Sequence, residues 1–375
     1  MLDVVFQGVK KKAVLLPFCL VLLLAFSGFG LVACSQPAQN EEPKQDQTEQ
    51  SADSSKEKTQ APSTKTVVDM EGRTVEIPTK IESVATFGSV GVLNAFVECM
   101  GMGDLIASEM PDNFAKNDKW AMQYQFAPQM KGLPVLESAD GIDIEKVLEL
   151  QPDICITMTK DTAQQLEENG LSVIVLTWDD TEDVKEAVTL MGEVFGVADR
   201  AVQYNSYFDE MVEKADRLTA NLSDDERKKV IYGDVETLTN PHIISEWWIT
   251  AAGGNSVTND THTKNSLEYT MEELLAWQPE VILSSNTDIE TIYADANLAN
   301  IPAIQNKQVY VVPTVAHVWG NRTVEQPLTV LWTMNKLYPE LYSVDEVSED
   351  IKYFYRTFFD YEMSDSEVDS IINYQ

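Results

Sequence analysis

The chain has 375 residues, of which 44% are hydrophobic, so it is long enough for two or three domains with substantial cores. It carries 61 acidic against 27 basic residues, and this net charge of −34 repels nucleic acid and anionic lipid. We therefore exclude nucleic acid as a partner. The acidity either serves solubility or attracts cationic ligands or a basic docking surface.

The N-terminal segment has the features of an export signal. Lysines at 10–12 precede an apolar run at 13–26, and residues 31–34 read Leu-Val-Ala-Cys. This ending resembles the lipobox of bacterial lipoproteins, in which the cysteine is diacylated; an ordinary signal peptide with a chance cysteine is the alternative. We expect residues 1–33 to be a signal peptide and Cys34 to anchor the protein at the outer face of the bacterial cytoplasmic membrane.

A polar segment separates this signal from the folded body. Residues 34–65 are rich in Gln, Glu, Lys, Ser, Thr and Pro, a composition typical of a disordered tether. The body then opens with two alternating segments around Glu71-Gly72, which predict a β-hairpin.

Strands and helices alternate through the rest of the body. Strands are predicted at 81–87, 105–107, 154–158, 173–177, 229–232, 281–284 and 309–312. Helices are predicted at 90–100, 143–150, 162–169, 184–195, 271–277, 328–337 and 349–361, and one more ends at 249–252. This alternation indicates an α/β fold with parallel sheets and helices on both faces.

The longest helix is predicted at 197–222, with Asp199 as its N-cap and no Gly or Pro inside. Its apolar residues recur at intervals of three and four and share one stripe: Ala201, Tyr204, Phe208, Met211, Ala215, Leu218 and Leu222. The stripe either packs on the core of this chain or forms a coiled-coil seam.

Similar sequence lies on each side of that helix. Residues 144–154 and 271–281, 127 positions apart, share Glu, Leu, Gln and Pro. In both, the proline forces a helix to end before a buried strand begins. We therefore expect an N-terminal lobe at 66–196 and a C-terminal lobe at 223–375, joined by the long helix.

These features together resemble the metal-chelate class of ABC-transporter substrate-binding proteins (periplasmic-binding-protein class III), which carry ferric siderophores, haem and cobalamin. The resemblance rests on the hairpin at 68–75, the paired helix-proline-strand motifs, Ala-Gly-Gly-Asn at 252–255 and the long helix. It implies two Rossmann-like lobes joined by a rigid interlobe helix, with a ligand cleft between them. It also implies a binding protein without catalysis or a cofactor of its own, whose partners are an ABC permease and its ATPase. We expect a monomer.

Two glutamates are candidates for contact with the permease. Glu145 and Glu272 occupy equivalent places at the starts of the repeated helices, and glutamates at this place in the family dock into arginines of the permease. The alternative is capping, because a carboxylate at a helix N-terminus is stabilised by the helix dipole.

Candidate ligand contacts follow from the rule that open α/β sheets bind ligands at the carboxyl ends of their strands. They fall in the segments after the predicted strands: Ser89, Met110, Trp178, Glu246, Trp247, His317, Trp319 and Arg322. Of Trp247 and Trp248, only one can face the ligand, whereas Trp319 lies in a loop where a large aromatic is hard to bury. His317 either ligates a metal or forms hydrogen bonds.

The histidines and cysteines suggest no dedicated metal site. The sequence places its three histidines, His242, His262 and His317, too far apart to predict one. Cys99 and Cys155 read as buried thiols, with a disulfide as the alternative. Two other functions stay open: a surface chelate receptor or relay without its own permease, and a metal-dependent enzyme built on converging histidines.

Overall fold

The computed structural model describes residues 63–286 and 288–373. The predicted signal peptide, Cys34 and all but the last three residues of the predicted tether lie outside this range. Among the residues described, no helix is both long and apolar enough to cross a membrane.

The predicted hairpin is confirmed. Strands β1 (Thr64–Val68) and β2 (Thr74–Pro78) pair antiparallel. The carboxylate of Asp69 holds the turn, because it accepts hydrogen bonds from the backbone N–H and the guanidinium of Arg73. Gly72 has a φ of 72°, a conformation that glycine adopts without steric cost.

The N-terminal half of the body contains a three-stranded parallel sheet in the order β3-β6-β7. The strands of this sheet are β3 (Val84–Phe87), β6 (Ile154–Thr157) and β7 (Val173–Val175), and β4 (Glu137–Ser138) and β5 (Gly141–Ile142) form a separate antiparallel pair. Its helices are α1 (Val90–Cys99), α2 (Asp112–Ala115), α3 (Gln123–Phe126), α4 (Ile144–Leu150), α5 (Lys160–Glu167) and α6 (Thr181–Phe195).

The strand predicted at 105–107 is wrong. A 3-10 turn at Gly103–Leu105 occupies part of it, and only an isolated parallel bridge joins Ile106 to Val84. The chain therefore touches the sheet edge without running along it.

After helix α7 (Ala198–Thr219), the C-terminal half builds a four-stranded parallel sheet in the order β10-β8-β12-β13. The strands of this half are β8 (Lys229–Gly233), β9 (Thr239–Asn240), β10 (Asn255–Ser256), β11 (Leu267–Glu268), β12 (Val281–Ser284) and β13 (Val309–Val311), of which β9 and β11 pair separately from the sheet. Its helices are α8 (Ile244–Ala251), α9 (Met271–Trp277), α10 (Ile289–Ala294), α11 (Pro302–Gln305), α12 (Gln326–Leu337), α13 (Val344–Phe358) and α14 (Asp365–Ile372).

Helix α7 buries its apolar stripe in the core of this chain. It packs on α6, α8 and α12, and the buried hydroxyl of Tyr204 donates to the carbonyl oxygen of Val324 at 2.6 Å. The expected N-cap is wrong: Val197 occupies that position, and Asp199 lies in the first turn. The charge of Asp199 still suits the positive end of the helix dipole.

The internal repeat extends to the backbone. Helices α4 and α9 each have seven residues, and each ends at a left-handed glutamine, Gln151 or Gln278, both with a φ of 51°. The prolines that follow lead into β6 and β12, which have equivalent bounds and four buried residues each. The predicted fold class, α/β with parallel sheets flanked by helices, is therefore confirmed.

Cys99 and Cys155 are both buried and unpaired, so the alternative of a disulfide is excluded. Burial raises the pKa of the Cys155 thiol to about 12 and raises that of Cys99 further. Both side chains behave as small apolar core residues.

Candidate functional site

The loop that follows β13, residues 314–319, lies against the N-terminal half of the body. Gln123 is fully buried, and its Nε2 donates to the carbonyl oxygens of Ala316 at 2.6 Å and Gly91 at 2.8 Å. The imidazole of His317 stands against the indole of Trp120, with ring centroids 5.3 Å apart. The carboxyl end of the second sheet thus faces the N-terminal half, the place where α/β sheets bind ligands.

Trp120 is the residue of this contact that sequence reasoning missed. Its ring meets Phe114 edge-on at 5.0 Å and packs on Met110. It also lies so close to Gly91 that a Cβ there would approach a ring atom to 2.9 Å. Phe114, Trp120 and Tyr124 come between the segment at 105–107 and α4, so a run of aromatics in a loop was the available signal.

The three histidines, far apart in the sequence, lie closer to one another in the fold. His262 donates from Nδ1 to the carboxylate of Glu246 at 2.7 Å, since a carboxylate can only accept. Thr258 donates to the same oxygen at 2.7 Å. His242 lies within electrostatic range of both His262 and His317.

Two of these histidines are held neutral. Burial, together with the nearby Lys119 and His242, lowers the pKa of His317 to about 3. Burial also lowers the pKa of His242 to about 4, with Arg322 and His262 adding to the effect. Both rings therefore present one N–H donor and one acceptor nitrogen at neutral pH.

Arg322 brings a cation to the same place. It is half-buried, and its guanidinium donates to the side-chain oxygen of Asn265 at 3.3 Å. Burial lowers its pKa, whereas Asp179, Asp180 and Asp183 of the N-terminal half raise it. The guanidinium therefore lies within electrostatic range of the acidic turn that begins α6.

Several polar atoms of this cluster are buried without a hydrogen-bond partner among the described residues. They are Glu246 Oε2, His242 Nδ1, His262 Nε2, Thr314 Oγ1, His317 Nδ1 and Arg322 Nε. Such atoms are rare in folded proteins and usually need an explanation. We call these six side chains the polar cluster.

The polar cluster is not arranged as a resident metal site. Within residues 63–286 and 288–373, no group of three or more His, Cys, Asp or Glu side chains could hold a metal ion. What the cluster offers chemically is hydrogen bonding through neutral imidazoles, one hydroxyl and one guanidinium.

Four candidate contacts lie outside the polar cluster. Met110 and Trp319 are fully buried, and Trp178 is 6% exposed and packs on Phe96 at 4.8 Å. The expectation that Trp319 is hard to bury is wrong, because the loop turns inward and α12 covers it. Trp247 is half-buried and stacks on Phe208 of α7.

Of the remaining predicted contacts, Ser89 is exposed at the start of α1 and makes no side-chain capping bond. Glu246, His317 and Arg322 belong to the polar cluster. The sequence rule therefore found three members of the cluster and missed three, of which His242 and His262 had been dismissed as scattered.

A groove of about 700 Å³ opens beside Phe114 on the N-terminal half. Its lining includes Gly88, Asp112, Glu137 and Asp140. Phe114, which lines the groove, contacts Trp120, and Trp120 in turn contacts His317. Its three carboxylates make it acidic.

The two candidate docking glutamates lie at matched positions. Glu145 and Glu272 are each the second residue of a seven-residue helix, α4 or α9, and both side chains are exposed. Capping is done by other residues: Asp143 accepts from Lys146 N, and Thr270 forms a reciprocal pair with Glu273. Neither glutamate caps its helix through a side-chain hydrogen bond, but both lie in the first turn, where the helix dipole stabilises a carboxylate, so this alternative to docking stays open.

Comparison with known proteins gives one consistent result. A family model described as periplasmic binding protein matches residues 97–316. The chain is 26% identical to the iron(3+)-hydroxamate-binding protein YxeB of Bacillus subtilis over 253 residues, which cover 66% of this chain and 67% of that protein. It is 22% identical to the molybdate-binding protein MolA of Haemophilus influenzae over 271 residues, or 63% of this chain and 75% of that protein.

Solved structures share the fold. A periplasmic solute-binding protein from Veillonella parvula superposes with a TM-score of 0.72 at 24% identity, covering 83% of this chain and 97% of that one. At this identity the likeness concerns the fold alone.

Proposed function

Because the chain belongs to the periplasmic binding protein family, we propose that it captures a metal chelate outside the cytoplasm and delivers it to the permease of an ABC importer. Its family is one of substrate-binding proteins and not of enzymes. The observation that carries the proposal is the polar cluster, which has buried unpartnered atoms and includes His317, the residue that stands against Trp120 of the other half.

The chelate that fits these surroundings is bulky, partly apolar and not strongly anionic. Trp120 and Phe114 offer aromatic surface, and the polar cluster offers donors for ligand oxygens. The acidic groove and the aspartates near Arg322 disfavour a polyanionic catecholate. A ferric hydroxamate suits this balance, and YxeB, a relative, is an iron(3+)-hydroxamate-binding protein. Haem and cobalamin are the next candidates.

Tryptophan fluorescence tests the ligand class. The purified protein is titrated with ferric trihydroxamates, haem, cobalamin, a ferric catecholate and molybdate, the last because MolA binds it. We expect saturable quenching by the ferric hydroxamate, since Trp120 lies at the contact. Saturation by molybdate alone would replace the chelate with an oxyanion, and binding of none of these ligands would move the cargo outside this group.

Delivery is proposed to use Glu145 and Glu272, which would pair with arginines of the permease. Exposed ion pairs are each worth only about 0.2–1 kcal/mol, so two separated pairs mainly set orientation and association rate. We expect Glu145→Lys combined with Glu272→Lys to abolish uptake in cells while leaving the dissociation constant of the ligand unchanged.

The matched control for docking is Glu186→Lys combined with Glu340→Lys. Both side chains are exposed and make no hydrogen bond to described residues. The two control substitutions change the net charge of the protein by the same amount as the docking variant. This control should transport normally. Normal transport by the Glu145 and Glu272 double variant would refute the docking role of these two glutamates.

We further infer that α7 acts as a strut between two lobes and that Cys34 carries a lipid anchor. The strut is supported by the packing of α7 on α6 and α12, helices of the two halves. The anchor is supported by the Leu-Val-Ala-Cys sequence alone. Cys34→Ala should release the protein from the membrane fraction, and retention there would refute the anchor.

A further inference from the structure

A buried carboxylate lies directly beneath the loop that carries His317. Glu325 is fully buried and precedes the first residue of α12. Its two oxygens accept hydrogen bonds from the backbone N–H of Ala316 at 2.9 Å and of His317 at 2.7 Å. The hydroxyl of Tyr355, on α13, also donates to it.

The same peptide units are fixed from the opposite side. Gln123 of the N-terminal half donates to the carbonyl oxygen of Ala316 at 2.6 Å. Ala316 is therefore bonded at its N–H to the C-terminal half and at its carbonyl to the N-terminal half. The side chain of His317 follows directly from this fixed peptide.

Burying a carboxylate to accept the two backbone N–H hydrogen bonds of this loop costs free energy, because a charged group leaves water. Burial raises the pKa of Glu325, while hydrogen bonds from Tyr355, Ala316 and His317 lower it. A neutral amide would avoid the cost of burying a charge, but it has one acceptor oxygen and would point a donor at the second N–H. The carboxylate is the group that can accept from both N–H groups at once.

Glu98 is a second buried glutamate, and it differs from Glu325 in having no hydrogen-bond donors to its carboxyl group within the described part of the chain. It is 2% exposed on α1, and both of its oxygens lack a hydrogen-bond partner among the described residues. Burial raises its pKa well above the ordinary value and the charge of Glu325 also raises it, which favours the neutral form of Glu98. Glu98, Cys99, Tyr204 and Tyr355 are the titratable groups within electrostatic range of Glu325.

We propose that Glu325 is a positioning residue for ligand binding: its carboxylate fixes the Ala316–His317 backbone so that the His317 imidazole stands against Trp120. This inference rests on the proposed function in assuming that the ligand binds at this contact. The placement of the His317 ring, however, can be observed without any ligand.

The experiment compares Glu325→Gln with Glu98→Gln in two measurements. The first is ¹⁹F NMR of protein labelled with 5-fluorotryptophan, with the Trp120 resonance assigned by its loss in Trp120→Phe. The second is titration with a ferric trihydroxamate. We expect Glu325→Gln to shift the Trp120 resonance and to raise Kd by about tenfold or more, as for loss of a hydrogen bond to a charged group. Glu98→Gln should leave Kd within about twofold, because an amide replaces a neutral acid of the same shape.

The outcomes separate this inference from the proposed function. An unshifted Trp120 resonance and an unchanged Kd in Glu325→Gln would overturn the inference. Should the wild-type protein bind no trihydroxamate, the ligand proposal fails, while the NMR shift still decides the placement of His317. Should Glu325→Gln not fold, Tyr355→Phe removes one donor to the same carboxylate, and a wild-type Trp120 resonance in that variant would then overturn the inference.

Discussion

The N-terminal and C-terminal halves of the body share a frame and differ in chemistry. Each places a first strand, β3 or β8, beside the strand of the repeated unit, β6 or β12, with one further strand outside it. All three histidines belong to the C-terminal half, whereas the N-terminal half faces them with Trp120 and Phe114. The duplicated part is the backbone of the two sheets and their helices, whereas all six side chains of the polar cluster come from the C-terminal half.

The turn after the first strand shows the difference at the level of packing. Gly88 follows β3 with a φ of 86° and open space around it, while Gly233 ends β8 with a φ of 135°. A Cβ on Gly233 would come within 2.1 Å of the carbonyl oxygen of Thr239. At this turn there is therefore room for a Cβ in the N-terminal half, whereas a Cβ in the C-terminal half would clash with the backbone.

The largest effect expected from this comparison concerns those two glycines. Gly233→Ala should lower the free energy of unfolding by more than about 3 kcal/mol, because backbone strain and a backbone clash add. Gly88→Ala should cost about 1 kcal/mol, the penalty for a left-handed alanine without a clash. Urea denaturation of both variants measures this, and equal losses would contradict the difference in packing.

The next effect is a sensitivity to acid that arises in the C-terminal half. The folded pKa values of His317 and His242 lie at about 3 and 4, below the unfolded value of about 6.5. Between these limits the unfolded chain binds more protons, so stability is complete above about pH 6.5 and falls as the pH drops toward 4. Replacing both histidines by asparagine should flatten the dependence of stability on pH in that window, and an unchanged slope would show that the rings are not held neutral.

The smallest effect concerns the left-handed glutamines that end α4 and α9. Gln151→Gly should stabilise the protein by about 0.5 kcal/mol. Relief of the left-handed backbone strain exceeds the opposing effect of a more flexible unfolded chain. Gln278→Gly should give no gain in stability. The side-chain Nε2 of Gln278 donates to the carbonyl oxygen of Leu275 at 2.7 Å, and the substitution removes that hydrogen bond. Thermal melting of the two variants checks the order, and a larger gain at Gln278 would reverse it.

The spacing of apolar residues predicted the main helices and strands well, because that spacing reflects which side chains are buried. The stripe on α7 and the two helix-proline-strand units, whose helices end before Pro152 and Pro279, came from spacing and from proline geometry. The segment at 105–107 was predicted as a strand from its apolar residues, but its neighbours turn it away after one bridge. Local sequence could not reveal that turn.

The site was predicted less completely because it depends on contacts between distant segments. Trp319 was expected to be exposed, yet the chain returns through α12 and buries it. Trp120 was missed because its role depends on His317, nearly 200 positions later. His262 bonds to Glu246, and Arg322 bonds to Asn265, contacts that no spacing in the sequence indicates.

The buried state of Cys99 and Cys155 has a practical consequence for optical and magnetic probes. They are the cysteines of the described residues, and burial raises the pKa of both thiols, so neither should react readily with maleimides at neutral pH. A thiol placed on the surface of each half would then be labelled selectively without removing native residues. Glu145 and Glu272 are exposed and equivalent, so dyes at those two positions would report the distance between the halves as a ligand is added.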